Sequence, residues 1–187
     1  DAHGNIQEQN RVVGPVRGAD TTKPPPTAPV GSAPPPSVVV AAAKLAAGDA
    51  DAAWAAIGGQ PAILEGFVNF AHEYSVILCR GQDGSIVDWP VPVNLHKGGI
   101  LATSTLPPPA LVRAQAAEAV QLARTVAEKL GHIGVLTAEF FACKDGPRFN
   151  EIAPRVHNSG HWTIEGAFTS QFENHIRAIC GLPLGET

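Results

Sequence analysis

The sequence predicts an α+β fold, a mostly antiparallel sheet with helices packed on it, and three observations carry that expectation. Strand-like runs follow one another between residues 62 and 105 with turn signals and no helical pattern between them. One long amphipathic stretch and two further strand runs come next. A last helical pattern closes the chain, so helices are segregated from strands instead of alternating with them.

Taken in order, residues 11–37 hold eight of the 17 prolines, among them Pro24-Pro25-Pro26 and Pro34-Pro35-Pro36. Such a segment buries too little apolar surface to offset its ordering entropy, and it reads as a disordered, partly polyproline-II insertion. Val38-Val39-Val40 reads as a short strand where the globular part begins. Residues 41–57 are alanine-rich, and Asp49 is placed to cap a helix running through Trp54 to the Gly58-Gly59 stop. Strands are expected at residues 62–65, 73–80, 85–89 and 100–105, with Gln82-Asp83-Gly84 as a turn. Pro107-Pro108-Pro109 opens a helix that Gly131 ends; its apolar stripe is read as Ala119, Leu122, Val126 and Leu130, with Glu118, Gln121, Arg124 and Glu128 opposite. Strands at 134–143 and 148–152 flank Lys144-Asp145-Gly146-Pro147, and a helix spans about 169–180. No internal repeat recurs at a fixed period.

A chain of 187 residues, 44% apolar, is long enough to bury one core. Its net charge of −4, with 13 basic residues spread along it, gives no electrostatic footprint for nucleic acid or an anionic membrane. Cys79, Cys143 and Cys180 are odd in number and lie far apart in apolar stretches, which fits reduced thiols and a reducing compartment. No apolar run approaches the ~18 residues of a membrane span. The sequence opens on Asp1 and contains no methionine, so it reads as a fragment whose targeting signals cannot be read.

The sharpest chemical signal is Ala138-Glu139-Phe140-Phe141 followed by Phe149-Asn150-Glu151-Ile152, two carboxylates and an amide inside apolar strands. Carboxylates avoid burial unless paired, hydrogen-bonded or on a metal. A two-residue Asp145-Gly146 loop would set Glu139 opposite Ile152 and put the two glutamates on opposite faces. A three-residue loop over 144–146, with Gly146 as a left-handed bulge, sets Glu139 opposite Glu151 on one face. Two such carboxylates repel unless a divalent cation lies between them, and oxygen-only ligands suit Mg²⁺ carried by nucleotide phosphates. Two surface glutamates on an exposed hairpin are the plainer alternative.

The run Asn150-Glu151-Ile152-Ala153-Pro154-Arg155-Val156-His157-Asn158-Ser159-Gly160-His161-Trp162 is dense in donors and without regular period, as active-site loops are. Zinc held by His157 and His161 is a rival, but the Ser159-Gly160 break argues against a shared helix face and no cysteine pair is near. This run resembles the signature of the 5-(carboxyamino)imidazole ribonucleotide synthetase family, ATP-grasp ligases of purine biosynthesis. Thr163-Ile164-Glu165-Gly166 and Ser170-Gln171-Phe172 continue the likeness, as do Ile63-Leu64-Glu65-Gly66-Phe67-Val68 and 93–100 around His96. It extends over roughly residues 38–184.

The resemblance implies an ATP-grasp fold lacking its N-terminal domain, with residues 1–10 the remnant of a glycine-rich phosphate loop, 11–37 an insertion, and 38–187 the catalytic domain. It implies ATP and Mg²⁺ as cofactors. Glu65, with the backbone of Gly66, Phe67 and Val68, would read the adenine, Glu73 the ribose hydroxyls, and His96 would contact the nucleotide. Glu139 and Glu151 would hold Mg²⁺ between the terminal phosphates, with Asn150 completing that shell. Arg155 offers a planar fork to bicarbonate or carboxyphosphate oxygens, His157 and Asn158 would orient the anion or its attacked carbon, and Asp1 and His3 would meet the aminoimidazole substrate.

The implied reaction is ATP- and bicarbonate-dependent carboxylation of 5-aminoimidazole ribonucleotide through carboxyphosphate. The family's ATP lysine and phosphate-holding basic residues fall outside this sequence, which leaves open the activity of the fragment alone. The alternatives are the ligase part of a bifunctional phosphoribosylaminoimidazole carboxylase, or a catalytically dead nucleotide-binding or interaction remnant. Expected partners are small molecules, not nucleic acid or membrane, with a homodimer allowed for the full-length protein. The expected compartment is the cytoplasm, or the plastid stroma in a photosynthetic eukaryote.

Overall fold

The computed structural model describes residues 12–13, 50–56, 58, 63–64, 66 and 68–187. Asp1, His3, Asp49, Glu65, Phe67 and the expected strand at 38–40 lie outside the described residues. The chain divides into two units, one over residues 8–68 and one containing residues 69–187.

In the first unit, β1 (Val12–Val13) pairs antiparallel with β2 (Ile63–Leu64), Val12 opposite Leu64. Val12 and Val13 head the stretch read above as proline-rich; being β-branched and free of proline, they suit a ladder that the residues after them do not. The helix α1 (Ala50–Ala56) ends where Gly58 takes φ 66° and its N–H bonds the carbonyl of Ala55, as the glycine stop predicts.

The second unit is built on β3 (His72–Arg80), whose nine residues are all paired with β7 (Gly134–Cys143). Around this pair the sheet runs β6 (Ile100–Thr105), β5 (Val93–Lys97), β3, β7, β8 (Gly146–Ala153), with β4 (Ile86–Asp88) also on β3; every pairing is antiparallel. The strand β5 was not expected, although Val93 and Leu95 alternate with Asn94 and His96; it is five residues long and follows Pro90 and Pro92 closely.

Side chains alternate across a strand, so β3 serves two layers. Tyr74, Val76 and Leu78 join Leu136, Ala138, Phe140 and Ala142 of β7 against the helix α2 (Ala110–Lys129). On the other face Ile77, Cys79 and Val135 pack with Trp89 and with Ala178 of α4 (Gln171–Ile179). A turn of 3₁₀ helix (Asn158–Gly160) and the short α3 (Thr163–Gly166) connect β8 to α4. Cys79, Cys143 and Cys180 are free thiols, and burial pushes that of Cys79 up to about 12. No helix among the described residues is long and apolar enough to cross a membrane.

The ends of α2 match expectation and its face does not. Gly131 at φ 58° closes it, its N–H on the Glu128 carbonyl and the N–H of His132 on that of Ala127. The buried stripe, however, is Val112, Gln115, Ala119, Ala123 and Ala127, while Leu122 and Leu130 are exposed. The alanines let the helix axis lie close to the sheet, and Arg124 turns to Asp88 of β4, its Nε 3.0 Å from the carboxylate. Ala123→Leu is therefore expected to cost about 1–3 kcal/mol by overpacking, and Leu122→Ala well under that. Urea unfolding of the two variants checks the assignment.

The β7–β8 hairpin corrects the loop reading. The turn is Lys144–Asp145 alone, with Cys143 opposite Gly146, whose φ is 128°, and the register shifts further along, between Glu139 and Phe140. Glu139 does face Glu151, as the three-residue loop predicted, but the extra residue is Asn150. Pro147 explains the displacement. The pair closing a two-residue loop exchanges both N–H···O bonds, and proline has no N–H to give, so it sits one place on, opposite Ala142.

Candidate nucleotide and metal site

The face of β3 that carries Ile77 and Cys79 turns polar towards the strand's start, at Ser75 and Glu73. Ser75 is opposite Glu139 and Glu73 is flanked by Asn94 and Phe141. Asn94 donates to the hydroxyl of Ser75 at 2.6 Å and accepts from that of Ser104 at 2.8 Å. This chain of small polar groups on β3, β5 and β6 was not singled out from the sequence. Its one trace there is a serine and an asparagine set among buried apolar neighbours.

Across this face the structure gathers Glu73, His96, Glu139, Glu151 and His157, all picked from the sequence. The Nδ1 of His96 lies 2.7 Å from Oε2 of Glu73, with both side chains largely buried. The Glu73 hydrogen bond holds the His96 pKa above its ordinary value against the opposing effect of burial, and the charges of Glu73, Glu139 and Glu151 add to the rise. Those charges act on one imidazole because the three carboxylates share its side of the sheet.

A group whose folded pKa is raised stabilises the fold fully below its unfolded value, near 6.5, and that contribution fades as pH climbs through the raised one. Glu73→Gln should bring the His96 titration down and flatten the stability profile above pH 6.5. Proton NMR titration of the ring, with thermal denaturation over the same range, measures both. A wild-type His96 that titrates below the usual histidine range would contradict this.

On β7, Glu139 is 8% exposed, and Nε2 of His157 lies 3.1 Å from its Oε1. The bulge makes two residues of β8, Asn150 and Glu151, answer the single Glu139. Cross-strand carboxylates repel, and the oxygen donors present here suit a hard cation that completes its shell with phosphate and water. Among the described residues no three His, Cys, Asp or Glu side chains are arranged to hold a metal by themselves. The oxygen donors of Glu139, Asn150 and Glu151 are of the kind that Mg²⁺ takes, whereas His161, the second ligand of the zinc rival, stacks on Phe172 at 5.7 Å.

Other predicted residues are placed less tightly. Arg155 is exposed, its Nη1 donating to the carbonyl of Val156 at 2.9 Å, and Asn158 is exposed at the start of the 3₁₀ turn. Gly66 and Val68 belong to the first unit.

Residues 42–172 match the family model of the ATP-grasp domain. The chain belongs to the ATP-grasp family. Within it, this ATP-grasp chain is 56% identical over 140 residues to the N5-carboxyaminoimidazole ribonucleotide synthase of Brucella melitensis, a match covering 72% of this chain and 37% of that protein. The solved N5-carboxyaminoimidazole ribonucleotide synthetase of Thermus thermophilus superposes with a TM-score of 0.70 at 51% identity, over 74% of this chain and 39% of that one. The Aspergillus clavatus synthase, solved with ADP and 5-aminoimidazole ribonucleotide, gives 0.69 at 33% identity, over 73% and 36%. This ATP-grasp chain thus spans well under half the length of the relatives it matches.

Proposed function

We propose that the polypeptide carrying this domain uses ATP and bicarbonate to carboxylate 5-aminoimidazole ribonucleotide, forming the N5-carboxyamino product in purine biosynthesis. The single observation that supports this most is the Glu139–Glu151 cross-strand pair on the same face as Glu73 and His96. Glu139 and Glu151 would hold Mg²⁺, with Asn150 beside them; the ion would neutralise charge building on the phosphates. Glu73, polarised by His96, would accept the ribose hydroxyls. Glu65, Gly66, Phe67 and Val68 would read the adenine, and Asp1 and His3 the aminoimidazole, as the family resemblance implies.

Phosphoryl transfer to bicarbonate needs positioning and charge neutralisation more than covalent help. Arg155 on its exposed loop would turn its planar fork to the bicarbonate or carboxyphosphate oxygens, while His157 and Asn158 would orient the anion or its attacked carbon. The amine of the aminoimidazole then attacks the carboxyl carbon, or CO₂ released from it, and phosphate leaves.

The test is Arg155→Lys in the full-length protein, assayed for aminoimidazole-dependent phosphate release from ATP. A loss of ~10²-fold or more is expected, because a point charge replaces a bidentate fork. Near-wild-type turnover would remove Arg155 from the site. Calorimetry with Mg-ATP on this domain and on the full-length protein tests the nucleotide site, and binding by neither would favour a remnant.

A further inference from the structure

One buried side chain holds both main-chain polar groups of His157. The Oε1 of Gln171 accepts from the His157 N–H at 3.0 Å, and its Nε2 donates to the His157 carbonyl at 2.7 Å. Gln171 is fully buried, and its own N–H donates to the hydroxyl of Thr163, which in turn donates to the carbonyl of Gly160. Gly160 packs against the amide so closely that a Cβ there would come within 2.6 Å of Oε1. The carbonyl of His157 also accepts from the N–H of Gly160 at 3.0 Å.

This clamp decides what the imidazole meets. The Nδ1 of His157 lies 3.3 Å from the N–H of Ser159, which can only donate, and 2.8 Å from its hydroxyl. Nδ1 is therefore the bare nitrogen, the ring proton sits on Nε2, and Nε2 donates to Glu139 at 3.1 Å.

We propose that Gln171 is a positioning residue of this site, acting through His157, which it holds as the Nε2–H tautomer so that the ring orients the Glu139 carboxylate as a hydrogen-bond donor. The inference rests on the ligase reading only for what Glu139 would hold. Two neighbours contribute to the same end, Ser159 by supplying the donors to Nδ1 and Thr163 by fixing the backbone of Gln171. All three lie in the runs that carry the family resemblance, but nothing in the sequence assigns them this role.

Isotope-labelled histidine ring nitrogens, observed by NMR in the full-length protein, report the tautomer directly, and loss of signal in His157→Asn identifies the ring. The wild type should show the Nε2–H pattern. Gln171→Leu, which keeps volume and drops both hydrogen bonds, should move His157 towards a mixture of tautomers. Gly160→Ala should do the same by displacing the amide from the other side, and it decides the matter alone if Gln171→Leu does not fold. In the turnover assay Gly160→Ala should lower kcat ~10-fold or more with KM for ATP within about twofold. A residue that merely supports the loop would lower stability and leave the tautomer alone. An Nδ1–H wild type, an unchanged tautomer in the folded variants, or a changed tautomer with kcat retained would each overturn the proposal. If the wild type turns over no ATP at all, the ligase reading fails, and the tautomer still passes or rejects the clamp.

Discussion

Glu139→Gln in the full-length protein is expected to lower ATP turnover by ~10²–10³-fold, the scale on which removal of one preorganised charge-stabilising group is felt. The substitution keeps the side chain's shape and an oxygen able to accept from Nε2 of His157, so the loop has no reason to move. It halves the negative charge offered by the pair Glu139 and Glu151. Like charges directly opposite on a sheet repel, so the loss of turnover should exceed any loss of stability. A site that loses function far out of proportion to stability is doing something the fold does not need. The paired measurement is steady-state phosphate release with thermal denaturation; unchanged turnover would mean that no phosphate-borne cation is held at this pair.

Phe140→Ala, one residue along and on the opposite face, should behave in the reverse way. The ring is 2% exposed, stacks on Tyr74 with centroids 5.6 Å apart, and meets Phe149 edge-on at 5.9 Å. Truncating it opens a cavity in the layer beneath α2 and should cost ~3–5 kcal/mol. Urea or thermal unfolding would read this, and a loss under ~1 kcal/mol would mean the layer closes over the gap.

These neighbouring residues show what a sequence can and cannot disclose. Long buried strands announce themselves: residues 134–143 were bounded correctly because ten residues of β pattern lie between a glycine and a turn. The ends of α2 were legible from Pro109 and Gly131, whose effects are local to the backbone. Its buried face was not. Two stripes of the same period compete along that helix, and the one with the larger side chains was the natural choice, whereas close approach to a sheet selects the smaller. The hairpin register was reached by the wrong loop, since the missing N–H of Pro147 matters only when the closing pair is drawn.

At the site, Glu139 and Glu151 stood out because carboxylates rarely occur inside apolar strands. The role of Gln171, a residue quoted only as part of a matching run, was not legible because its worth lies in a contact with a backbone fourteen positions earlier. Asn94, Ser75 and Ser104 meet across three strands, and pattern within one strand cannot show that.

The bulge at Asn150 sets the turn and the acidic pair in different registers. Phe149 lies opposite Phe140 and Glu151 opposite Glu139, so removing Asn150 alone would let the ladder run straight and leave that pair face to face. One residue added to β8 would instead need a second bulge, or would carry the acid at 151 round to the side where Phe140 lies.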